Sequence, residues 1–243
     1  MRVNIAGVEI DNITKDQAIA RIDEFIKSNQ PHYVVTPYSE IVVFAQTDDQ
    51  YKKVLNSADL SLPDGIGILW AAKYLGFKID HRVTGRKLIF DIAKLSSDKK
   101  YSLALVGGEG NVAAVTAAEL KKLYPNLRVN LALSGRPFDD QIVREIADSN
   151  SDILLIAYSP PKQEIWLSEN YLKLNTKVAI GLGGTFDYLA GKQLTPPNFV
   201  HYIGLEWLWR LITQPKRLKR MWNAIPVFIW KIYQYKKYAR SSS

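Results

Sequence analysis

Cysteine is absent from all 243 residues, and methionine occurs only twice. Without thiols there is no disulfide framework, no thiolate metal site and no thiol nucleophile. Histidine is scarce as well: His32, His81 and His201 stand apart with none of the spacings that hold a metal, so neither a metal nor another cofactor is expected. Long apolar runs are missing. The longest nearly apolar stretch, Ala224 to Tyr235, is interrupted by Pro226 and Lys231 and falls well short of the roughly 20 residues that a spanning helix needs. The start, Met1 to Ile26, carries charges throughout and lacks the apolar core of a secretory signal. The expectation is a cytoplasmic protein that lies on a membrane rather than crossing it.

Negative charge is missing from one region. Between Trp207 and Ser243 there are nine Lys or Arg and no Asp or Glu, and four of the six Trp fall in the same segment. Residues 1–206 hold 23 basic residues against 24 acidic ones, so the net charge of +8 sits in the tail. Trp beside Lys and Arg suits an anionic membrane surface, because the ring settles among headgroups while the cations meet lipid phosphates. Two other readings compete. Nucleic acid attracts basic segments with aromatics between them, but the Leu, Ile, Val and Phe mixed in here need an apolar phase, so nucleic acid is not the expected partner. The tail also reads as a C-terminal core helix with a solvated basic face. The membrane reading places the protein peripherally on the cytoplasmic face of the plasma membrane. A homo-oligomer would cover so apolar a junction between tail and body, although no residue pattern fixes its size.

With 47% hydrophobic residues the chain can bury a substantial core. Short β-branched or apolar runs alternate with helical patterns, as in a parallel sheet built from βαβ units. The clearest strands are Tyr33–Thr36, Ser102–Val106, Arg128–Leu133, Asp152–Tyr158 and Lys177–Gly181; Val112–Tyr124 and Gln141–Asn150 read as amphipathic helices. The body ends near Gln193, where Thr195-Pro196-Pro197-Asn198 break the pattern. The expected architecture is therefore α/β, a Rossmann-like, mostly parallel sheet flanked by helices over 1–195, with a basic, helical, membrane-binding appendage over 196–243. Right-handed crossovers put the functional loops at the carboxyl ends of the strands.

Those loops hold the candidate residues. Thr36 arrives at a strand end before Pro37, where a hydroxyl can face a ligand or simply make the turn, and Ser39 is placed to cap the next helix. Asp64, in Pro63-Asp64-Gly65, reads either as a helix N-cap or as a lone carboxylate able to act as general base. Gly107 to Gly110 follow a strand and open a helix, an arrangement that can cradle a diphosphate; the spacing is not that of a dinucleotide site. Lys162 and Gln163 start a helix at the same sheet edge and suit a nucleotide. From Gly181 onward, glycines permit close backbone approach to a ligand, and Phe186 is placed to pack on a base.

Thr36-Pro37, Pro63-Asp64-Gly65, Arg82-Val83-Thr84-Gly85, Ser159 to Glu164, Gly183 to Asp187, Gly204 to Leu211 and Gln214 to Arg217 occur in one order. Together they resemble the WecG/TagA/CpsF glycosyltransferase family, from about residue 3 to about residue 222. The resemblance implies a metal-independent, inverting enzyme. It would move a sugar, typically N-acetylmannosamine or its uronic acid, from a UDP donor to undecaprenyl-diphosphate-linked N-acetylglucosamine. The products of such enzymes feed teichoic acid, enterobacterial common antigen or capsule. Carried onto this chain, the resemblance makes Asp64 the base that deprotonates the acceptor hydroxyl and Thr36 a threonine of the pocket floor. Arg82 and Gln163 become pocket residues, with Lys162, Gly184 and Thr185 beside them. Arg210, Arg217 and Arg220 become arginines that close over the site and meet diphosphate oxygens, as guanidinium groups do well. Two positions depart from the family pattern: Tyr38 stands where Asn is common, and Lys87 where many members have Asp. They leave UDP-N-acetylmannosaminuronic acid and UDP-glucose as alternative donors.

Overall fold

The computed structural model describes residues 1–135, 140–194, 208–209 and 221–241. An antiparallel hairpin opens the chain, β1 (Arg2–Ile5) and β2 (Val8–Asp11). Its two-residue turn puts Ala6 at φ 50° and Gly7 at φ 87°, the mirror-image geometry that matches the twist of paired strands. Helix α1 (Lys15–Ser28) follows behind a capping box: the Thr14 hydroxyl accepts from the Gln17 N–H at 3.1 Å, and the Gln17 side chain accepts from the Thr14 N–H at 2.8 Å.

The sheet then begins. β3 (His32–Val35), α2 (Ser39–Ala45), α3 (Asp49–Asn56) and β4 (Leu60–Ser61) make its first unit, and α4 (Ile66–Leu75) and α5 (Gly85–Lys99) cross to β5 (Ser102–Gly107). Next come α6 (Val112–Leu123), β6 (Arg128–Leu133), α7 (Asp140–Asp148), β7 (Ile153–Ala157), α8 (Lys162–Asn170), β8 (Val178–Gly181) and α9 (Thr185–Leu189). Past a π-helical turn at Asn223–Val227, helix α10 (Phe228–Ser241) closes the described chain.

Six strands align in the order β4-β3-β8-β7-β5-β6, every neighbouring pair parallel. The expected mostly parallel sheet flanked by helices is present. Its order is not the 3-2-1-4-5-6 of the dinucleotide fold: the last strand, β8, enters between β7 and the first, β3. The expected strand and helix positions hold to within two residues at each described end. The hairpin and the two-residue β4 were not read from the sequence.

Side chains of the inner strands alternate between two cores, which is why β5, β7 and β8 are apolar throughout, whereas the edge strand β6 exposes Arg128 and Asn130. Leu103, Leu105, Ile153, Leu155, Val178 and Ile180 point to a core shared with α1, α5, α6 and α9. Ala104, Val106, Leu154, Ile156 and Ala179 point to the other, with the hairpin, α2, α3, α4, α7 and α8. α10 joins this second core. Phe228 and Ile232 are fully buried in it, the Tyr235 hydroxyl donates to Asn4 Oδ1 at 2.9 Å, and the Lys236 ammonium donates to the Tyr74 carbonyl, 4.2 Å above the Tyr74 ring. Its far side, with Ile229, Trp230, Tyr233 and Tyr238, is exposed, as is Trp222 just before it. The core-helix reading of the tail thus accounts for one face of α10. The exposed face is the part left for a surface.

Candidate active site

One cavity of about 1380 Å³ lies across the carboxyl ends of the parallel strands. Thr36 reaches it from β3, Asp64 from β4, Gly108 from β5, Ser134 from β6, Tyr158 from β7 and Thr185 from β8. This is where ligands bind in open α/β sheets, because the strands deliver their loops to one edge while the helices run back beneath.

The floor is a set of loops tied to one another. Thr36 is buried, and its hydroxyl donates to the Gly181 carbonyl at 3.0 Å, joining the ends of β3 and β8. The Asp64 N–H donates to the Pro37 carbonyl at 3.0 Å, and Asp64 Oδ2 accepts from the Gly85 N–H at 3.2 Å. Asp64 therefore does not cap the helix that follows it, whose N-cap is Gly65. It meets the first turn of α5, 21 residues on, where the helix dipole favours a carboxylate. Ser39 is likewise no cap: it is the first residue of α2, and the capping position belongs to Tyr38, whose side chain makes no capping bond.

Gln163 is buried, and its carbonyl Oε1 accepts from two loop amides, Tyr158 N–H at 3.1 Å and Gly183 N–H at 2.9 Å. Its amide nitrogen donates to Glu164 Oε1 at 2.8 Å. Gly181 makes room for that carboxamide: a Cβ there would stand 2.5 Å from Gln163 Nε2. Glu164 is buried too, and Tyr51 on α3 donates its hydroxyl to Glu164 Oε2 at 3.0 Å. Burial pushes the Glu164 carboxyl up to about 7, against the pull toward the charged form of the bonds from Gln163, its own backbone N–H and Tyr51. Burial, then the neighbouring Glu164, also raises the Tyr51 phenol well above its usual range. A second buried carboxylate, Glu40, accepts from the Tyr38 hydroxyl at 3.2 Å and lines the same wall.

Of the expected residues, Thr36, Asp64, Arg82, Gln163, Gly184 and Thr185 all line the cavity. Lys162 does not; it is exposed on the first turn of α8. Arg210, Arg217 and Arg220 lie outside the described residues. Phe186 is fully buried in the α1/α5/α6/α9 core, so it cannot stack on a base. The Gly108 N–H is already given to the Ala157 carbonyl at 3.1 Å, which leaves the glycine loop fewer donors for a phosphate than its composition implied. Lys87 is exposed, whereas its neighbour Arg86 lines the cavity with its guanidinium 5.7 Å from the Tyr188 ring centre. Lys192 adds a further cation, donating to the Glu109 carbonyl at 2.8 Å. On the side of α4 and the C-terminal turn the wall becomes apolar, with Ile66, Trp70, Ile225, Phe228 and Ile229. The cavity thus offers a carboxylate at a loop junction, cations on one wall and a greasy margin.

Residues 3–242 match the model of the Glycosyl transferase WecG/TagA/CpsF family, and the chain belongs to that family. A Bacillus spizizenii protein named N-acetylglucosaminyldiphosphoundecaprenol N-acetyl-beta-D-mannosaminyltransferase is 30% identical over 214 residues, covering 88% of this chain and 83% of its own length. A Staphylococcus aureus (MRSA252) protein of the same name is 28% identical over 239 residues, covering 97% and 94%.

Proposed function

We propose that the protein transfers N-acetylmannosamine from UDP-N-acetylmannosamine to undecaprenyl-diphosphate-linked N-acetylglucosamine, with inversion and without a metal, in the synthesis of a cell-surface polysaccharide or wall teichoic acid. Asp64 takes the proton of the acceptor hydroxyl. That oxygen attacks the anomeric carbon from the face opposite UDP, the bond from this carbon to the diphosphate breaks, and UDP leaves carrying the electron pair. Thr36 and Gln163 hold the floor beneath the sugar. Arg82 and the arginines Arg210, Arg217 and Arg220 meet the diphosphate charge that develops on the leaving group. The observation that carries this reading is the meeting of Thr36, Asp64, Arg82, Gln163, Gly184 and Thr185 on one cavity, in a chain of this family. A second donor, UDP-N-acetylmannosaminuronic acid, is favoured by Arg86 and Lys192, which add two cations to the cavity beside Arg82.

The protein works at the cytoplasmic face of the plasma membrane in this reading. Support comes from the exposed Trp222, Ile229, Trp230 and Tyr233 and from a tail with nine cations and no acid. Among the described residues no helix is long and apolar enough to cross a membrane.

The test is UDP release from a panel of UDP-sugars, UDP-glucose included, with and without an undecaprenyl-diphosphate N-acetylglucosamine analogue. Acceptor-dependent release from one donor, unaffected by EDTA and reduced about 10²- to 10⁴-fold in Asp64→Asn, is the expected result. Full activity in that folded variant removes Asp64 as the base, and silence across the panel removes the reaction.

A further inference from the structure

Thr36, Gly181, Gln163, Glu164 and Tyr51 form one unbroken line of contacts from the cavity floor to α3. The only charged member is Glu164, which lines the cavity beside Gln163 and is 1% exposed. Its two oxygens accept from the Gln163 amide and the Tyr51 hydroxyl, groups on different elements, and its own backbone N–H adds a further bond. Gln163 is an amide whose two ends differ only in hydrogen-bonding sense. The two loop N–H groups take its carbonyl end, and the acceptor that holds its nitrogen end is Glu164.

We infer that Glu164 and Tyr51 are positioning residues for the donor site. Ionised Glu164 draws the Gln163 nitrogen and the Tyr51 hydroxyl onto its two oxygens, and so presents the Gln163 carbonyl to the Tyr158 and Gly183 amides that hold the β7 and β8 loops. The inference rests on the donor reading given above.

A protonated Glu164 must itself donate from one oxygen, so the Tyr51 hydroxyl or the Gln163 amide then loses its acceptor. Buried donors do not tolerate that loss. Neutral Glu164 is also a weaker acceptor for the Gln163 nitrogen than the carboxylate, which loosens the carboxamide's hold on the Tyr158 and Gly183 amides and so both loops. Other titratable groups near the line are few. Tyr51 comes from α3, and Tyr38 and Glu40 come from the start of α2. β3 brings Tyr33, whose hydroxyl is given to the Val54 carbonyl, and the turn after α8 brings Tyr171, tilted against the Tyr33 ring at 4.9 Å. β8 contributes none. Because Glu164 is held near 7 by burial, the change of state falls within the working range of a cytoplasmic enzyme.

Two readouts on the full chain test this. The first needs no ligand: the backbone amide signals of Tyr158 and Gly183, followed by NMR from pH 5.5 to 8.5. In the wild type they should move together with a midpoint near neutrality. In Glu164→Gln they should stay flat, and in Tyr51→Phe, which removes a donor to the ionised form, the midpoint should rise. The second is affinity for UDP-N-acetylmannosamine, whose doubly esterified diphosphate keeps its charge over that range. Wild-type affinity should fall roughly tenfold toward low pH. Glu164→Gln should bind weakly and without a pH dependence, since its own amide leaves one of the two donors unmatched at every pH. Amides that do not titrate, or that titrate alike in Glu164→Gln, overturn the inference. A wild type that binds no UDP-sugar while its amides titrate as described sinks the donor reading and leaves the positioning role standing.

Discussion

At the residue scale, the floor of the cavity depends on one missing side chain. Gly181 gives its carbonyl to Thr36 and its open face to Gln163. Adding a methyl there drives a Cβ to 2.5 Å from Gln163 Nε2, and the carboxamide must leave its two loop amides or push β8 away. Gly181→Ala should therefore cost about 1–3 kcal/mol of stability and weaken UDP-sugar binding together, as read by urea unfolding and calorimetry on the same preparation. Unchanged binding would show that Gln163 does not shape the site. Glu164 makes a separate statement about stability. Its carboxyl is raised from 4.5 to about 7 in the folded protein, so folding holds a proton that the unfolded chain releases. That contribution is fully present below about pH 4.5 and is lost as pH rises through 7. Measured against Glu164→Gln, the wild type should lose on the order of 3 kcal/mol between pH 4.5 and 8. A constant difference between the two proteins over that interval would contradict the burial of a titrating carboxyl.

At the scale of elements, α10 has two faces that answer to different measurements. Ile232 is fully buried beside Phe228, and Ile232→Ala should lower stability by about 2–5 kcal/mol. Trp230, 57% exposed, touches solvent, and Trp230→Ser should leave unfolding within about 0.5 kcal/mol of wild type while reducing sedimentation with phosphatidylglycerol vesicles. Equal sedimentation of Trp230→Ser and Trp222→Ser with the wild type would remove the membrane contact from this face. The tail shows where reading a sequence reaches its limit. Its charge and Trp content are visible in one glance, yet whether Phe228 or Trp230 turns inward depends on α2, α4 and Asn4, more than 150 residues away. The site divides in the same way. Thr36, Asp64, Gln163, Gly184 and Thr185 were legible because strand, turn and helix signals punctuate the chain beside each of them. Tyr51 and Glu164, separated by 113 positions, carry no local signal that they meet. Glu40 hides inside a short apolar helix, and Arg86 and Lys87 look alike in the sequence, since only the set of α5 against the cavity distinguishes adjacent positions.

At the scale of the whole molecule, charge is arranged unevenly: a body near neutrality and a tail that holds the net +8. Vesicle association should then weaken steeply with salt, because exposed cations lose their reach as the screening length shortens from about 10 Å at 0.1 M to about 3 Å at 1 M. Association that is indifferent to salt would assign it to the aromatics alone. The fold class was readable from the alternation of apolar runs and helical patterns, since each parallel strand needs a crossover. The strand order was not: the polar Arg128 and Asn130 mark β6 as an edge, but β5, β7 and β8 are apolar on both faces and any of them would fit the middle. The strand that occupies it, β8, is the last of the six to leave the ribosome. Until Val178 has been made, β3 and β7 have no bridge between them, and the nascent chain carries two half-sheets with open edges facing each other. Synthesis thus runs well past the middle of the gene before the halves can be joined, and a chain arrested earlier exposes the kind of unpaired strand on which aggregates seed.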